Sequence, residues 1–229
     1  MHKANHGITM FSAAALLFST SAAQAQPQAF EEGMNALLEG NFAEAYCQWK
    51  PLAKRGHAES QYNLGWLYAN GNGMNVDVDE ALSWWQAAAK QGHADAQFAI
   101  GLAYITGEGG LEKNVDLAVR WFLRAAQQGH RDSREILSRL NEDPKIDVIA
   151  VAPGLLKESW FGTIGVTTGE MINVRGEPTT KAKIVARLQK GTQVRVLGQQ
   201  GNWLQVVLPG KAEPEIAWVY HSLVKRSDS

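Results

Sequence analysis

Cysteine is almost absent from this sequence, and neither sign of charge dominates it. A single cysteine, Cys47, stands among 229 residues, which excludes an internal disulfide framework and a cysteine-rich structural zinc site. The 22 lysines and arginines are matched by 23 aspartates and glutamates, for a formal net charge of −1. Because binding to polyphosphate depends mainly on positive charge, we expect no nucleic-acid partner. With 45% hydrophobic and 20% charged residues, the composition is that of one or two packed globular domains.

Long hydrophobic runs are also lacking, and the one apolar stretch that stands out lies near the N-terminus. It spans residues 8–18, follows Lys3 and precedes an Ala-Gln-Ala sequence at 23–25. This order is typical of a secretory signal peptide, and the stretch is shorter than the roughly 20 residues that cross a bilayer. We therefore predict a signal peptide over 1–25, cleaved after Ala25, and a periplasmic protein without a transmembrane segment. A buried N-terminal helix is the alternative.

The periplasm is an oxidising compartment. We nevertheless expect the single cysteine to be a small buried apolar residue rather than a redox site or an intermolecular bridge.

A Gly-His pair recurs three times at nearly constant spacing. Gly56-His57, Gly92-His93 and Gly129-His130 are separated by 36 and 37 residues, a period that indicates a helical repeat. Alanine recurs eleven residues before each glycine, an aromatic residue seven before it, and leucine or isoleucine eight after it: Ala45, Ala81, Ala118; Trp49, Trp85, Phe122; Leu64, Ile100, Leu137. Each unit is therefore predicted to be helix, turn, helix.

The first helix of each unit has an apolar face and a polar start. The apolar face follows the 3.6-residue period, as at Ala81, Trp85, Ala88 and Ala89. Four residues before each repeated alanine stands an N-capping side chain: Asn41, Asp77, Asn114. Glu44 and Glu80 complete a capping-box pattern in the first two units, and the glycine of each Gly-His pair is predicted to end the first helix. Residues 30–39 are predicted to be a half-unit that opens the stack.

These residues resemble the Sel-one-like repeat, a relative of the tetratricopeptide repeat. In the second unit the pattern is carried by Ala81, Trp84, Trp85, Ala88, Ala89, Gly92, His93, Ala96, Ile100, Gly101, Tyr104, Gly107 and Gly109. Ile100 replaces the usual leucine, and the third unit departs from the pattern after His130. The resemblance covers 30–141 and implies an α-solenoid of about three repeats over 26–141.

After residue 158 the hydrophobic period changes from helical to alternating. A linker over 142–158 is followed by short segments rich in β-branched residues, which predict strands at 171–175, 183–188, 192–197, 203–208 and 216–220. Five such strands make a small barrel.

The motif of this C-terminal part resembles the bacterial SH3-like domain. It reads Ile172-Asn173-Val174-Arg175-x-x-Pro178, then Gly191-Thr192-x-Val194, Trp203-x-x-Val206 and Ala217-Trp218-Val219. The resemblance covers 159–226, with Ile172 in place of leucine and Ala217 in place of glycine. The predicted fold class is therefore multidomain, α then β: an α-solenoid followed by an SH3-like β-barrel over 159–229.

The common motifs of catalytic and phosphate-binding sites are missing. The sequence contains no H-E-x-x-H, no G-x-S-x-G and no G-x-x-x-x-G-K-[ST]. We therefore predict no catalytic residues, no cofactor and a protein that is not an enzyme. His57, His93 and His130 raise the alternative of a metal site, but equivalent positions of a repeat lie about one unit apart and do not converge on one ion. We assign them to turns and interhelical hydrogen bonds.

Two tryptophans are candidates for partner binding by the solenoid. Trp84 precedes the aromatic residue of the apolar face by one position, and Trp121 is its equivalent in the next unit. Adjacent helical residues point about 100° apart, so these two side chains are either exposed anchors for a protein partner or are packed between neighbouring units.

A second candidate site lies in the SH3-like domain. The resemblance implies a groove that binds a peptide or a cell-wall peptide, and the candidate residues are Asn173, Arg175, Trp203, Trp218 and Tyr220. The alternative is that Asn173 and Arg175 hold a loop while Trp203 belongs to the core.

Charge is divided between the two parts of the chain. Residues 26–141 carry 10 basic and 14 acidic side chains, whereas 159–229 carry 9 and 5. A run of basic residues without an intervening acid contributes to this excess: Lys181, Lys183, Arg187, Lys190, Arg195. It suits an anionic polymer, although a solvated strand face is the commoner explanation.

The leading hypothesis is a non-enzymatic periplasmic adaptor. The repeats bind another envelope protein, and the SH3-like domain binds peptidoglycan or a peptide. The alternative hypothesis is a regulatory subunit that inhibits or activates a cell-wall hydrolase, with the barrel docked on the enzyme.

The export prediction has a direct test. N-terminal sequencing of the protein isolated from cells is expected to find a chain that begins at Gln26, because signal peptidase cleaves after small-x-small patterns. A cytoplasmic pool that retains Met1 would contradict the prediction.

Overall fold

Helices make up the first part of the chain and strands the last. The computed structural model describes residues 27–143 and 145–227, so the predicted signal peptide lies outside the described residues. The helices of the described part are α1 (27–38), α2 (Phe42–Lys54), α3 (Ala58–Asn70), α4 (Val78–Lys90), α5 (Ala94–Thr106), α6 (Val115–Gln127), α7 (Arg131–Glu142) and α8 (Val148–Val151). Short 3-10 helices span Pro153–Lys157 and His221–Leu223.

The first helix of each predicted unit begins at its Asx residue. Asn41, Asp77 and Asn114 accept hydrogen bonds from the backbone N–H three residues ahead, at 3.3, 2.9 and 2.9 Å, which confirms the predicted N-caps. The predicted capping box is only half realised. The N–H groups of Asn41 and Asp77 donate to carbonyls of the preceding helix, while the glutamate carboxylates accept from Gln48 and Trp84 further along their own helices.

Consecutive helices meet where a glycine touches an aromatic ring. Gly33 of α1 lies against Trp49 of α2, Gly65 of α3 against Trp85 of α4, and Gly101 of α5 against Phe122 of α6. A Cβ added at these glycines would lie 2.3, 2.5 and 2.5 Å from the nearest ring atom, so no larger residue fits without a shift. The two indoles donate to the carbonyls of Phe30 and Tyr62, both at 3.2 Å. The predicted aromatic core positions and the opening half-unit are confirmed.

The chain forms two compact units, the first ending at Ala96 and the second starting at Gln97. The core of the first unit contains Trp49 with its alanine and leucine neighbours: Ala36, Ala45, Leu52, Ala53, Leu64, Leu67.

Cys47 is exposed, so the prediction that it is buried was wrong. It lies two positions from both Ala45 and Trp49 on α2, and two residues correspond to about 200° around a helix, which places it on the opposite face.

The strands of the second unit form one antiparallel sheet. The strands of its described residues are β1 (Thr163–Thr167), β2 (Met171–Arg175), β3 (Ile184–Gln189), β4 (Gln193–Gln200), β5 (Trp203–Val207), β6 (Ile216–Tyr220) and β7 (Val224–Arg226). They lie in the order β3-β2-β6-β5-β4-β1-β7. Inward side chains from both ends of this order, Leu188 of β3 and Val224 of β7, share one apolar cluster. The sheet therefore curls around a single core, as an SH3-like domain does.

The sequence predicted five of these strands and missed β1 and β7. β7 has only three residues, and β1 has a glycine, Gly165, at an inward position. A Cβ added there would lie 2.5 Å from Val224 Cγ1, so the glycine permits the close approach of β7 to β1. The pairing is long-range, and neither segment has enough alternation of its own to predict it.

The described residues of the segment predicted as a linker pack on both of its neighbours. Val148, Ile149 and Leu155 are buried in one cluster with Phe122 of α6 and Leu197 of β4. This cluster joins the last helices of the solenoid to the sheet within the second unit.

Polar contacts reinforce this junction. The Asn141 side-chain amide donates to the carbonyl of Leu197 at 2.7 Å. The Arg195 guanidinium donates to the carbonyl of Glu158 at 2.6 Å and to that of Leu156. Arg195 therefore does not extend the exposed basic run as predicted, because it serves the junction instead. Its burial lowers the pKa of its guanidinium from the usual value.

The glycine–aromatic contact predicts that replacing the glycine lowers the stability of the protein. Gly101→Ala is expected to lower the free energy of unfolding by about 1 to 3 kcal/mol, because the added methyl overpacks the contact with Phe122. Helix propensity alone predicts the opposite sign, a gain of about 1 kcal/mol. The measurement is denaturant unfolding of the full chain.

Gly154→Ala is the matched control in the same unit. An added Cβ there meets only Leu123 Cδ2, at an ordinary 3.9 Å, and should change stability little. A Gly101→Ala variant as stable as the parent would show that the contact is not tight.

Candidate functional site

Two aromatic side chains stand side by side on the outer face of the sheet. Trp203 of β5 and Tyr220 of β6 are paired in register, and their rings make an edge-on contact with centroids 5.6 Å apart. Because side chains alternate along a strand, the intervening residues of β5 and β6 point into the core. Trp203 itself is half-buried. It lies outside the apolar core cluster.

A groove of about 280 Å³ lies beside this aromatic pair. Four of the five residues predicted for the site line it: Asn173, Arg175, Trp203 and Tyr220. Gly169, Met171, Ile172, Thr180 and Leu223 complete the lining. Met171 is 60% exposed and was not predicted as a site residue. The alternation of β2 contains the signal for it, because residues 171, 173 and 175 share one face.

Asn173 and Arg175 also hold neighbouring segments in place. Arg175 Nη1 donates to the carbonyl of Ala182 at 2.6 Å, across the loop that joins β2 to β3. Arg187 Nε donates to the Asn173 side-chain oxygen at 3.3 Å. The two interpretations weighed from the sequence, loop support and groove lining, therefore apply to the same side chains.

Trp218 lies apart from the other four candidates. It faces the same side of β6 as Tyr220, but two residues along a strand span roughly 7 Å. It lines a separate cavity of about 170 Å³, together with Gln205 and residues that follow α7 such as Asp143 and Asp147. The structure thus brings four of the predicted residues together and leaves Trp218 in a different environment.

The remaining basic run is exposed. Lys181, Lys183, Arg187 and Lys190 all lie at the surface, and Lys190 is 3.5 Å from the Glu170 carboxylate. Exposed ion pairs of this kind contribute little to stability. The run is thus available to act on a ligand at long range.

The two candidate tryptophans of the solenoid are both half-buried. Trp84 donates to the Glu80 carboxylate at 3.1 Å and packs against the first core. The Arg124 guanidinium lies 4.5 Å from the ring centroid of Trp121, a cation–π distance. Trp66, at 36% exposure, is a more exposed aromatic that the sequence analysis did not single out. It follows Gly65 directly and so points away from the glycine–aromatic contact.

The three histidines of the Gly-His pairs cap helices. The Nδ1 atoms of His57, His93 and His130 accept from a backbone N–H three residues ahead, at 3.2, 3.3 and 3.1 Å. Their rings pack on the aromatic residue of the preceding second helix, Phe30, Tyr62 and Phe98 respectively. The predicted role at the turns is confirmed, but the contact that all three share with another helix is ring packing and not the predicted interhelical hydrogen bond. Among residues 27–143 and 145–227, no group of three or more His, Cys, Asp or Glu is arranged to hold a metal ion.

Burial lowers the pKa of His93, although nearby Asp95 and Glu59 act in the opposite direction. The neutral ring is the form that caps α5, because Nδ1 accepts a hydrogen bond only when it carries no proton. The cap and the neutral state thus support each other.

None of the helices in the described part of the chain is long and apolar enough to span a membrane.

Family comparisons agree with this geometry. The model of the Sel1 repeat matches residues 58–93 and 94–130, and the model of the bacterial SH3 domain matches residues 170–225. The chain carries Sel1 repeats and a bacterial SH3 domain. Both resemblances drawn from the sequence are confirmed, as is the predicted fold class. The boundaries of the matched repeats differ from those of the predicted units. Each matched repeat contains the second helix of one predicted unit and the first helix of the next.

Parts of the chain are also similar to solved structures. A Sel1 repeat protein from Oxalobacter formigenes is 29% identical over 49% of this chain and 46% of its own, with a TM-score of 0.47. A protective antigen of uropathogenic Escherichia coli with an SLR fold is 31% identical over 55% and 28%, with a TM-score of 0.49. Helicobacter pylori cysteine rich protein B is 21% identical over 51% and 92%, with a TM-score of 0.43. The chain thus spans less than half the length of the first two proteins. No curated protein sequence matches it significantly.

The two families indicate the general kind of function. Sel1 repeats indicate a scaffold for protein–protein interaction, and a bacterial SH3 domain suggests binding to the cell wall. Proteins with Sel1 repeats are generally non-catalytic, and proteins with either module are often extracellular or periplasmic.

The histidine cap predicts a pH dependence of stability. The pKa of His93 is lower in the folded chain than its usual value of about 6.5, so the folded state binds fewer protons. The stability that the neutral cap contributes is fully present above about pH 6.5 and is lost as the pH falls towards the folded pKa. His93→Asn retains a capping group that does not titrate. The decrease in melting temperature between pH 7.5 and 5.5 should therefore be smaller for this variant than for the parent. Equal decreases would contradict a role for His93 titration.

Proposed function

We propose that this protein is a non-enzymatic adaptor of the bacterial envelope, located in the periplasm. Its Sel1 repeats bind another envelope protein, and its SH3 domain binds peptidoglycan or a cell-wall peptide. The observation that carries the proposal is the groove beside Trp203 and Tyr220, where two large aromatic side chains are left partly exposed outside the apolar core cluster of the domain. Aromatic side chains of this kind are the usual anchors of binding sites.

The charge of the SH3 domain supports an anionic wall as its target. Residues 159–229 carry 9 basic and 5 acidic side chains, and four basic residues of the run from 181 to 190 are exposed. Exposed charges act over roughly 8 to 10 Å at physiological ionic strength. They therefore favour approach to an anionic polymer, while the groove supplies the specific contacts.

The repeats supply the second binding surface. Trp84 and Trp121 occupy equivalent positions in successive repeats and each leaves part of its ring exposed. Each side chain thus leaves an aromatic surface on its own repeat for contact with a protein partner. The Arg124 side chain against Trp121 adds a cationic group to that surface.

The ordered junction supports a role as an adaptor. Helices α6 and α7 share a core with the sheet, and Asn141 and Arg195 tie the segments together by hydrogen bonds. A partner held by this last repeat would therefore have a defined orientation relative to the groove. A flexible tether would fix no such orientation.

The groove hypothesis is tested by truncating its aromatic wall. Trp203→Ala or Tyr220→Ala is expected to weaken binding of the full chain to purified sacculi by about 2 kcal/mol or more, roughly thirtyfold, because an aromatic anchor of the groove is lost. Trp218→Ala is the matched control. It removes an aromatic residue from the same face of β6 but outside the groove, and should leave the affinity within a few fold.

Thermal unfolding of each variant must accompany the binding measurement, since loss of packing alone lowers the melting temperature. Unchanged sacculus binding by folded Trp203→Ala and Tyr220→Ala variants would remove the groove from the proposal. If neither parent nor variants sediment with sacculi, but the parent binds a cell-wall hydrolase, the regulatory-subunit hypothesis replaces the adaptor.

A further inference from the structure

The groove on the SH3 domain is lined by hydrogen-bond donors. The Asn173 side-chain oxygen already accepts from Arg187 Nε, which leaves the amide N–H groups of Asn173 for a ligand. One Nη of Arg175 is bound to the carbonyl of Ala182, and its other guanidinium N–H groups remain. The Trp203 indole N–H and the Tyr220 hydroxyl add two further donors. Neither has a hydrogen-bond partner among the residues that the structure describes.

The same groove contains no acidic side chain. Among its nine lining residues, all within the described part of the chain, Arg175 carries the only charge. A ligand amine would find no carboxylate to pair with, and burying an unpaired ammonium is costly. A ligand carboxylate would instead receive charge-assisted hydrogen bonds from Arg175 and Asn173, which are about twice as strong as neutral ones.

The apolar part of the lining limits which side chains a ligand can have next to its carboxylate. Trp203, Ile172, Met171 and Leu223 line the groove together with the donors. Its volume of about 280 Å³ lies just below the usual range for small-molecule pockets, which starts at about 300 Å³. This space suits a chain end with small apolar side chains.

From these observations, we infer that the groove recognises the terminal carboxylate of a short peptide with small apolar side chains. The inference rests on the proposed function, because it names the chemical group that the proposed groove binds. A single arginine suits one negative charge better than the two of a phosphate group. Because the proposed target is the cell wall, the peptide is expected to contain D-amino acids, whereas the C-terminus of a protein would supply the L-form.

The test uses a minimal peptide in matched forms. The probes are N-acetyl-dialanine in its D and L forms, each with a free C-terminal carboxylate or a C-terminal amide, titrated into the full chain and followed by NMR. The free D-acid should bind at least about tenfold more tightly than its amide, because a hydrogen bond to a charged group contributes more than a tenfold change in affinity. An amide that binds as tightly as the acid would overturn the inference, and so would failure of both acids to bind.

Asn173→Asp supplies the structural control. The new carboxylate still accepts from Arg187, so the fold is retained, but it replaces two donors with an acceptor of the wrong charge. Affinity for the free acid should decrease by at least about tenfold. Gln193→Glu makes the same change of charge at an exposed residue of β4 outside the groove, and should leave affinity within about twofold. Equal affinities of Asn173→Asp and Gln193→Glu would overturn the inference.

The outcomes separate this inference from the proposed function. If Trp203→Ala and Tyr220→Ala abolish sacculus binding while acid and amide bind alike, the groove stands and carboxylate recognition fails. If the L-acid binds more tightly than the D-acid, carboxylate recognition stands and the cell wall is overturned as its source.

Discussion

The solenoid depends on one repeated contact, a helix glycine pressed against the aromatic ring of the next helix. Gly33, Gly65 and Gly101 each occupy the point where a side chain of any size would enter the ring of Trp49, Trp85 or Phe122. The absence of a Cβ lets the helices approach closely, which buries one large aromatic ring at each contact. Burial of rings this large contributes several kcal/mol each relative to truncation. The close approach of each of these three helix pairs therefore depends on a residue that has no side chain.

The capping histidines also pack on the helices that carry these glycines. In each case the histidine ring packs on the aromatic residue three positions before Gly33, Gly65 or Gly101. The ring centroids are 5.1, 4.8 and 4.6 Å apart for Phe30, Tyr62 and Phe98. One side chain thus starts a helix through Nδ1 and packs its ring on the helix two before it. An asparagine or serine cap would satisfy the backbone N–H but would offer no such ring. The repeat therefore has a physical reason to use histidine at a position where shorter side chains cap as well.

In the second unit, stability and binding are separated by the alternation of the strands. Inward residues of β5 and β6 fill the core, while Trp203 and Tyr220, on the other face, remain for a ligand. The hydrogen bonds that Asn173 and Arg175 make to Arg187 and to the β2–β3 loop orient these two side chains before any ligand arrives. Such preorganisation reduces the entropy lost on binding. The junction between helices and sheet is preorganised in the same sense. Its apolar core and its hydrogen bonds together fix the orientation of the last helices relative to the sheet.

Much of this protein was predictable from local patterns. The helix starts at Asn41 and Asp77, the glycine turns and the two modules all follow from interactions between residues a few positions apart, which a sequence displays directly. The exposure of Cys47 follows from the same kind of local spacing, because it lies about 200° around α2 from Ala45 and Trp49. The junction role of Arg195 and the separation of Trp218 from Tyr220 were not predictable in this way. Asn141 and Leu197 meet across 56 positions, and β1 meets β7 across a similar distance. Which side chains converge on a groove depends on strand order and on the curl of the sheet. These arise from the packing of the whole core, so only the tertiary structure decided which of the predicted residues share a site.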